Sequence, residues 1–259
     1  GQAHPWLPRV PPAAHAAGTS CAAEMGLLSA LSCMPAPVLI EAEFIDDADC
    51  DTVIIFDWDD TLMCTSALNA GQVDNPSEIL ALKEAILSTL HVASQLGKVA
   101  IVTSACCSWV YESTRLLCPE LFSVLSGIQV ISARDLYEVT HPRNPVEWKR
   151  NAFEDIIGCK ESLHSASATN LVVIGDSTTE LRAAWSIEGL WSLKTIKFKK
   201  VPTVRELTGQ LVKVTQGLHN IVRETRNADV NLVQPKTDYL QSFFFPDEWK
   251  LCKGRIPLE

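Results

Sequence analysis

The sequence predicts an α/β fold: a doubly wound, Rossmann-like parallel sheet with helices on both faces and no sizeable cap domain. Three observations predict it. Short apolar runs rich in β-branched residues recur along the chain, helical stretches with one apolar face separate them, and polar residues stand directly after several of the runs. A strand buried on both faces reads as a continuous apolar run, and regular alternation of such strands with helices is the signature of a parallel sheet.

The elements follow in order. Val53-Ile54-Ile55-Phe56 is the first strand. Asn75-Pro76-Ser77-Glu78 then offers an N-cap, a proline at the first helical position and an acid at the third, the chemistry of a capping box. The helix it opens runs over about 76–96, with Ile79, Leu82, Ile86 and Leu90 at helical spacing and Gly97 placed to stop it. Val99-Ala100-Ile101-Val102 is the second strand, residues from about 107 to 118 are helical up to Pro119, and Ile128 to Ile131 is the third strand. Asn144-Pro145-Val146-Glu147 repeats the capping chemistry and opens a helix that runs to Gly158. Leu171 to Ile174 is the fourth strand, with a helix over about 178–188 behind it. Ser192 to Phe198 is the fifth, and Pro202 begins a last helix through Leu207, Leu211, Val214, Leu218 and Ile221.

Composition sets the limits. The 259 residues suffice for one α/β domain with extensions, and an apolar fraction of 47% suffices for its core. A net charge of −9 argues against wholesale binding to nucleic acid or to an anionic membrane. The nine cysteines include no CxxC pair, so they read as reduced thiols in an intracellular, cytoplasmic compartment. Residues 1–51 read as a disordered extension ending in an acidic linker, with six acids between Glu41 and Asp51. Residues 52–226 read as the α/β domain, and any chemistry is expected there. Residues 227–259, with Phe243-Phe244-Phe245, are a tail without a clear period.

Ligands of open parallel sheets bind beyond the carboxyl ends of the strands, so the residues just after each apolar run are the ones to test. After the first run comes Asp57-Trp58-Asp59-Asp60-Thr61-Leu62, after the second Thr103-Ser104, and after the fourth Gly175-Asp176-Ser177-Thr178-Thr179-Glu180. Lys149 lies near the start of the helix leading into the fourth strand. Carboxylates, a hydroxyl and an ammonium can thus converge on one rim, a set that suits phosphoryl transfer. Asp57 can attack phosphorus to form an aspartyl-phosphate. Asp59, two residues on, can protonate the leaving alcohol and then activate water. Asp57 and Asp176 can hold Mg²⁺, a hard ion that takes a few carboxylates and several waters. Thr103 and Lys149 can bind the phosphoryl oxygens.

At these residues the chain resembles the haloacid dehalogenase-like superfamily. Asp57-x-Asp59-x-Thr61 matches its DxDxT motif, Thr103 ends the strand of the second motif, Lys149 matches the third, and Gly175-Asp176 with Glu180 matches the acidic fourth. The resemblance covers roughly residues 52–200. It implies Asp57 as nucleophile and metal ligand, Asp59 as acid/base that also lends its backbone carbonyl to the metal, Thr103 and Lys149 as phosphate ligands, and Asp176 as the metal-anchoring acid. Glu180 stands where Asp is more usual, and would act through water. By the same resemblance, the acid at Asp59 favours phosphatase over dehalogenase chemistry. The short spans Leu62–Lys98 and Ser104–Trp148 leave little chain for a cap, which implies an open site for bulky substrates such as phosphoproteins. Two other readings compete: a small-metabolite phosphatase or phosphotransferase using the loops around 62–75 and 137–148 as a lid, and a non-catalytic binding relative.

Other polar features take plainer readings. Strand alternation points Asp60 away from the site, toward the surface or a helix cap. Trp58 is a packing residue, Ser177 and Thr178 are helix caps, and His141 is an exposed loop residue. Lys194, Lys197, Lys199 and Lys200, with Arg205, read as a solvated edge strand guarded by lysines.

Overall fold

The computed structural model describes residues 51–158 and 169–233. The extension before residue 51 and the Phe243–Phe245 stretch lie outside the described residues. In chain order the elements are β1 (Asp51–Phe56), α1 (Thr65–Asn69), α2 (Pro76–Leu96), β2 (Lys98–Thr103), α3 (Cys107–Leu117), a 3-10 turn (Pro119–Leu121), α4 (Phe122–Leu125), β3 (Gln129–Ser132) and α5 (Ala133–Tyr137). There follow α6 (Pro145–Ile157), β4 (Thr169–Gly175), α7 (Thr178–Trp185), β5 (Ser192–Lys197), α8 (Val204–Arg223) and β6 (Ala228–Asn231). The strands form one all-parallel sheet in the order β3-β2-β1-β4-β5-β6. From β1 the chain winds outward through β2 and β3, then returns to β4 on the other side of β1. The order therefore reverses between β1 and β4, which is where a sheet of this kind opens a crevice.

The strands divide their side chains by parity, as the period of two requires. Ile54, Phe56, Ile101, Val172 and Ile174 face a core closed by α2, α3 and α8, which supply Leu82, Ile86, Val110, Leu207, Leu211 and Leu218. Val53, Ile55, Ala100, Val102, Leu171 and Val173 face a smaller core closed by α6 and α7 through Trp148, Phe153, Ala183 and Ala184. A doubly wound architecture follows from this two-sided burial.

Local chemistry matches the anticipated caps in part. Asn75 Oδ1 accepts from the Ser77 amide at 3.1 Å and Asn144 Oδ1 from the Glu147 amide at 3.3 Å. The returning half of the box is replaced at α6, where the Glu147 carboxylate pairs with Arg150 instead. Reciprocal boxes occur at α7 (Ser177 with Glu180) and α8 (Thr203 with Glu206). Gly158 ends α6 in the left-handed conformation at φ 73°, where glycine carries no Cβ penalty. Gly97 is needed for closeness: a Cβ there would lie 2.3 Å from the Thr52 carbonyl oxygen.

The sheet does not end at β5. Residues 228–231, anticipated as part of an irregular tail, pair in parallel with β5 and make it an interior strand. The edge reading of its lysines fails for that reason. Lys194 is buried and donates to Asn170 Oδ1 at 2.6 Å and Ser192 Oγ at 2.7 Å. Among the described residues no cap domain stands on the sheet: Leu62–Lys98 is taken up by α1, α2 and their loops, and Ser104–Trp148 by α3, α4, β3, α5 and short connections that belong to the sheet and its covering layers. No described helix is long and apolar enough to cross a membrane.

Candidate active site

Asp57 follows β1 directly, and its amide donates to the Ile174 carbonyl at 2.9 Å, carrying the β1–β4 ladder one step past the strand. That fixes the residue at the point where strand order reverses. Its side chain continues the parity of Val53 and Ile55, toward the α6–α7 face. There Lys149, 1% exposed, donates to Asp57 Oδ1 at 2.6 Å and also to Glu180 Oε1. Lys149 comes from the fifth position of α6, and Glu180 from the first turn of the adjoining α7.

Glu180, for which the resemblance implied a role through water, also holds the lysine directly. Its other oxygen accepts from the Ser177 amide at 3.2 Å and the Ser177 hydroxyl at 2.7 Å. Gly175 makes room for this, since a Cβ there would meet Glu180 Cγ at 2.8 Å.

The charges in this cluster are unequal. Burial acts to raise Glu180, yet Lys149 and Ser177 outweigh it and hold the carboxyl below its ordinary range. Burial raises Asp57 well above that range; Lys149 opposes the rise, and the Glu180 and Asp176 carboxylates add to it. Lys149 stays charged because its two acids outweigh the cost of burial. Asp176 is pushed up to about 7, first by burial and then by Glu180 and Asp60. Glu180 therefore takes most of the benefit of the ammonium, while Asp57 and Asp176 share an excess of negative charge. Two under-compensated carboxylates at the ends of neighbouring strands are a donor set for a hard cation that completes its shell with water. Among the described residues no group of three or more His, Cys, Asp or Glu side chains is arranged to hold a metal ion.

Asp59 belongs to the other side of the rim. Its Oδ1 accepts from the Trp109 indole at 2.8 Å and its Oδ2 from Thr103 Oγ1 at 3.4 Å. Thr103 continues the parity of Val99 and Ile101 toward α3, and its hydroxyl accepts from the Ala105 amide at 2.9 Å. Trp58 is fully buried, as anticipated, and donates through its indole to Ser113 Oγ at 2.9 Å. Asp60 takes the helix-capping part of its expected role but does not lie at the surface. It is buried in the left-handed conformation at φ 54°, which Asp tolerates better than most residues. Its carboxylate accepts from the amide (2.9 Å) and hydroxyl of Ser66, tying down the first turn of α1, and its charge reaches Asp176.

The sequence reading assigned Trp109 no role, did not pair Glu180 with Lys149, and took Lys197 for an edge lysine. Lys197, 8% exposed, donates to the carbonyls of Asp176 and Phe198 and so joins the loops after β4 and β5. Its signal would have been a sixth strand, which makes that lysine interior. The non-glycine residues in the left-handed region among those described are Asp60, Arg143 and Val201, and all three lie in loops on this rim. Such strain persists only where surrounding structure enforces it, and it concentrates at functional sites. Compared with protein-family models, curated proteins and solved structures, the chain finds no match.

Proposed function

We propose that the chain is a Mg²⁺-dependent phosphohydrolase of the haloacid dehalogenase-like type, acting through an aspartyl-phosphate on Asp57. One observation carries the reading: Asp57, at the strand-order reversal, shares the buried Lys149 with Glu180 while Asp59 is held separately two residues away. A nucleophile and an acid/base with different partners are what a two-step displacement needs.

In the first step an Asp57 carboxylate oxygen attacks phosphorus and the bond to the ester oxygen breaks. Asp59 gives its proton to the departing alkoxide. In the second step Asp59 takes a proton from water as the water oxygen attacks phosphorus, the bond to Asp57 breaks, and phosphate leaves with both carboxyls restored. Lys149 has a donor left beyond its two acids, and together with Thr103 would hold phosphoryl oxygens where charge spreads in the transition state. The Asp57 and Asp176 carboxylates and the Asp59 carbonyl would hold Mg²⁺, which when bound offsets the repulsion between anionic carboxylates and an anionic ester. The absence of a cap among the described residues favours bulky substrates such as phosphoproteins.

The test is hydrolysis of p-nitrophenyl phosphate and a panel of phosphate esters, with and without Mg²⁺, by the wild type and Asp57→Asn. Metal-dependent turnover should fall by roughly four or more orders of magnitude in the variant, as for loss of a covalent nucleophile. No metal-dependent turnover by the wild type on any ester would sink the reading.

A further inference from the structure

Two indole hydrogen bonds run in opposite directions between the loop after β1 and the helix α3. Trp58 of the loop donates to Ser113 of the helix at 2.9 Å, and Trp109 of the helix donates to Asp59 of the loop at 2.8 Å. Trp109 and Ser113 stand one helical turn apart on the same face, and Ser113 Oγ donates in turn to the Trp109 carbonyl at 2.7 Å. Among the described residues Asp59 has no flexible cation as hydrogen-bond partner. It has a rigid ring whose body packs against the larger core and whose N–H meets one carboxylate oxygen. An indole N–H donates only, so it takes one oxygen and leaves the other with the long contact to the Thr103 hydroxyl at 3.4 Å.

We propose that Trp109 is a positioning residue for proton transfer: its indole N–H fixes the rotamer of Asp59 so that Oδ2, beside Thr103, is the oxygen that carries the proton to the leaving group. This rests on the phosphohydrolase reading above. An acid held in place matters in proportion to how badly the leaving group needs its proton. An alkoxide leaving from phosphoserine or glycerol phosphate needs one. A p-nitrophenolate, stable as the anion, leaves almost without help.

Trp109→Phe keeps the ring and removes the donor. Its kcat on phosphoserine or glycerol phosphate should fall about 10- to 100-fold, a part of what a general acid contributes. On p-nitrophenyl phosphate it should fall less than about threefold. Asp59→Asn should show the same split more strongly, and Trp109→His, which restores a ring N–H, should narrow it. Both substrates are assayed on one preparation, so the ratio of the two rates does not depend on the fraction folded. Equal falls on both substrates would overturn the positioning role while leaving the phosphohydrolase reading intact. Wild-type protein that turns over neither substrate would overturn both.

Discussion

The two aspartates of the Asp57-Trp58-Asp59 segment are neighbours in sequence and opposites in environment. Asp57 points to the α6–α7 face, into a buried cluster where one ammonium sits between two carboxylates. Asp59 points to the α3 face, where an indole and a hydroxyl hold it without a formal positive charge. The first arrangement is expensive to build and rigid, because each buried charge depends on its partner. The second is cheaper, because it rests on two neutral donors rather than on a buried ion pair. A single loop thus sets two similar residues against opposite faces of one sheet.

The contrast can be broken most severely at Lys149. Lys149→Met removes the ammonium shared by Asp57 and Glu180, and stability should drop by about 3–5 kcal/mol, the cost of stranding buried charge. Trp109→Phe in the other half should cost about 1 kcal/mol, a single hydrogen bond. Urea unfolding of the two variants side by side checks the difference; equal losses would remove the distinction. Next in size is Gly175→Ala. The added Cβ crowds Glu180, which must give way and loosen its hold on Lys149, for a loss of about 1–3 kcal/mol measured the same way.

The smallest effect is a drift with pH. Asp176 titrates near 7 in the folded chain against an ordinary value of 3.8, so its stabilising contribution is complete below about pH 4 and is lost as pH rises through about 7. Asp57 shifts in the same direction. Glu180 shifts oppositely, but its contribution is complete above its ordinary value of 4.5 and is lost only as pH falls toward its lowered value, so it leaves the trend from pH 5 to pH 8 unchanged. The melting temperature of metal-free protein should therefore decline from pH 5 to pH 8, and Mg²⁺ should raise it more at pH 8. Asp176→Asn should flatten both trends, and a melting temperature that climbs from pH 5 to pH 8 would contradict the charge distribution described for the site.

The sheet was legible because its signals are local. Apolar runs, caps at Asn75 and Asn144, and stops at Gly97 and Gly158 depend on residues a few positions apart. β6 was missed for a related reason: Ala228–Asn231 is short and polar, and it becomes a strand by pairing with β5. The same omission turned Lys194 and Lys197 into edge lysines when they are interior. Asp60 was placed by strand alternation, which stops applying once the chain turns at a positive φ.

From the sequence alone came the alternation of elements, the doubly wound class and the positions of Asp57, Asp59, Thr103, Lys149 and Asp176 beside strand ends or a helix start. Periodicity and capping act over a turn or two of chain, so one strand of text carries them. The tertiary structure decided which of these residues share a partner. Lys149 reaches Asp57 across 92 residues and Glu180 across 31, and Trp109 reaches Asp59 across 50. Those meetings depend on strand order, on the face each helix covers and on a glycine that lets Glu180 lie close. No local pattern encodes them, because they exist only once the sheet has closed its two cores.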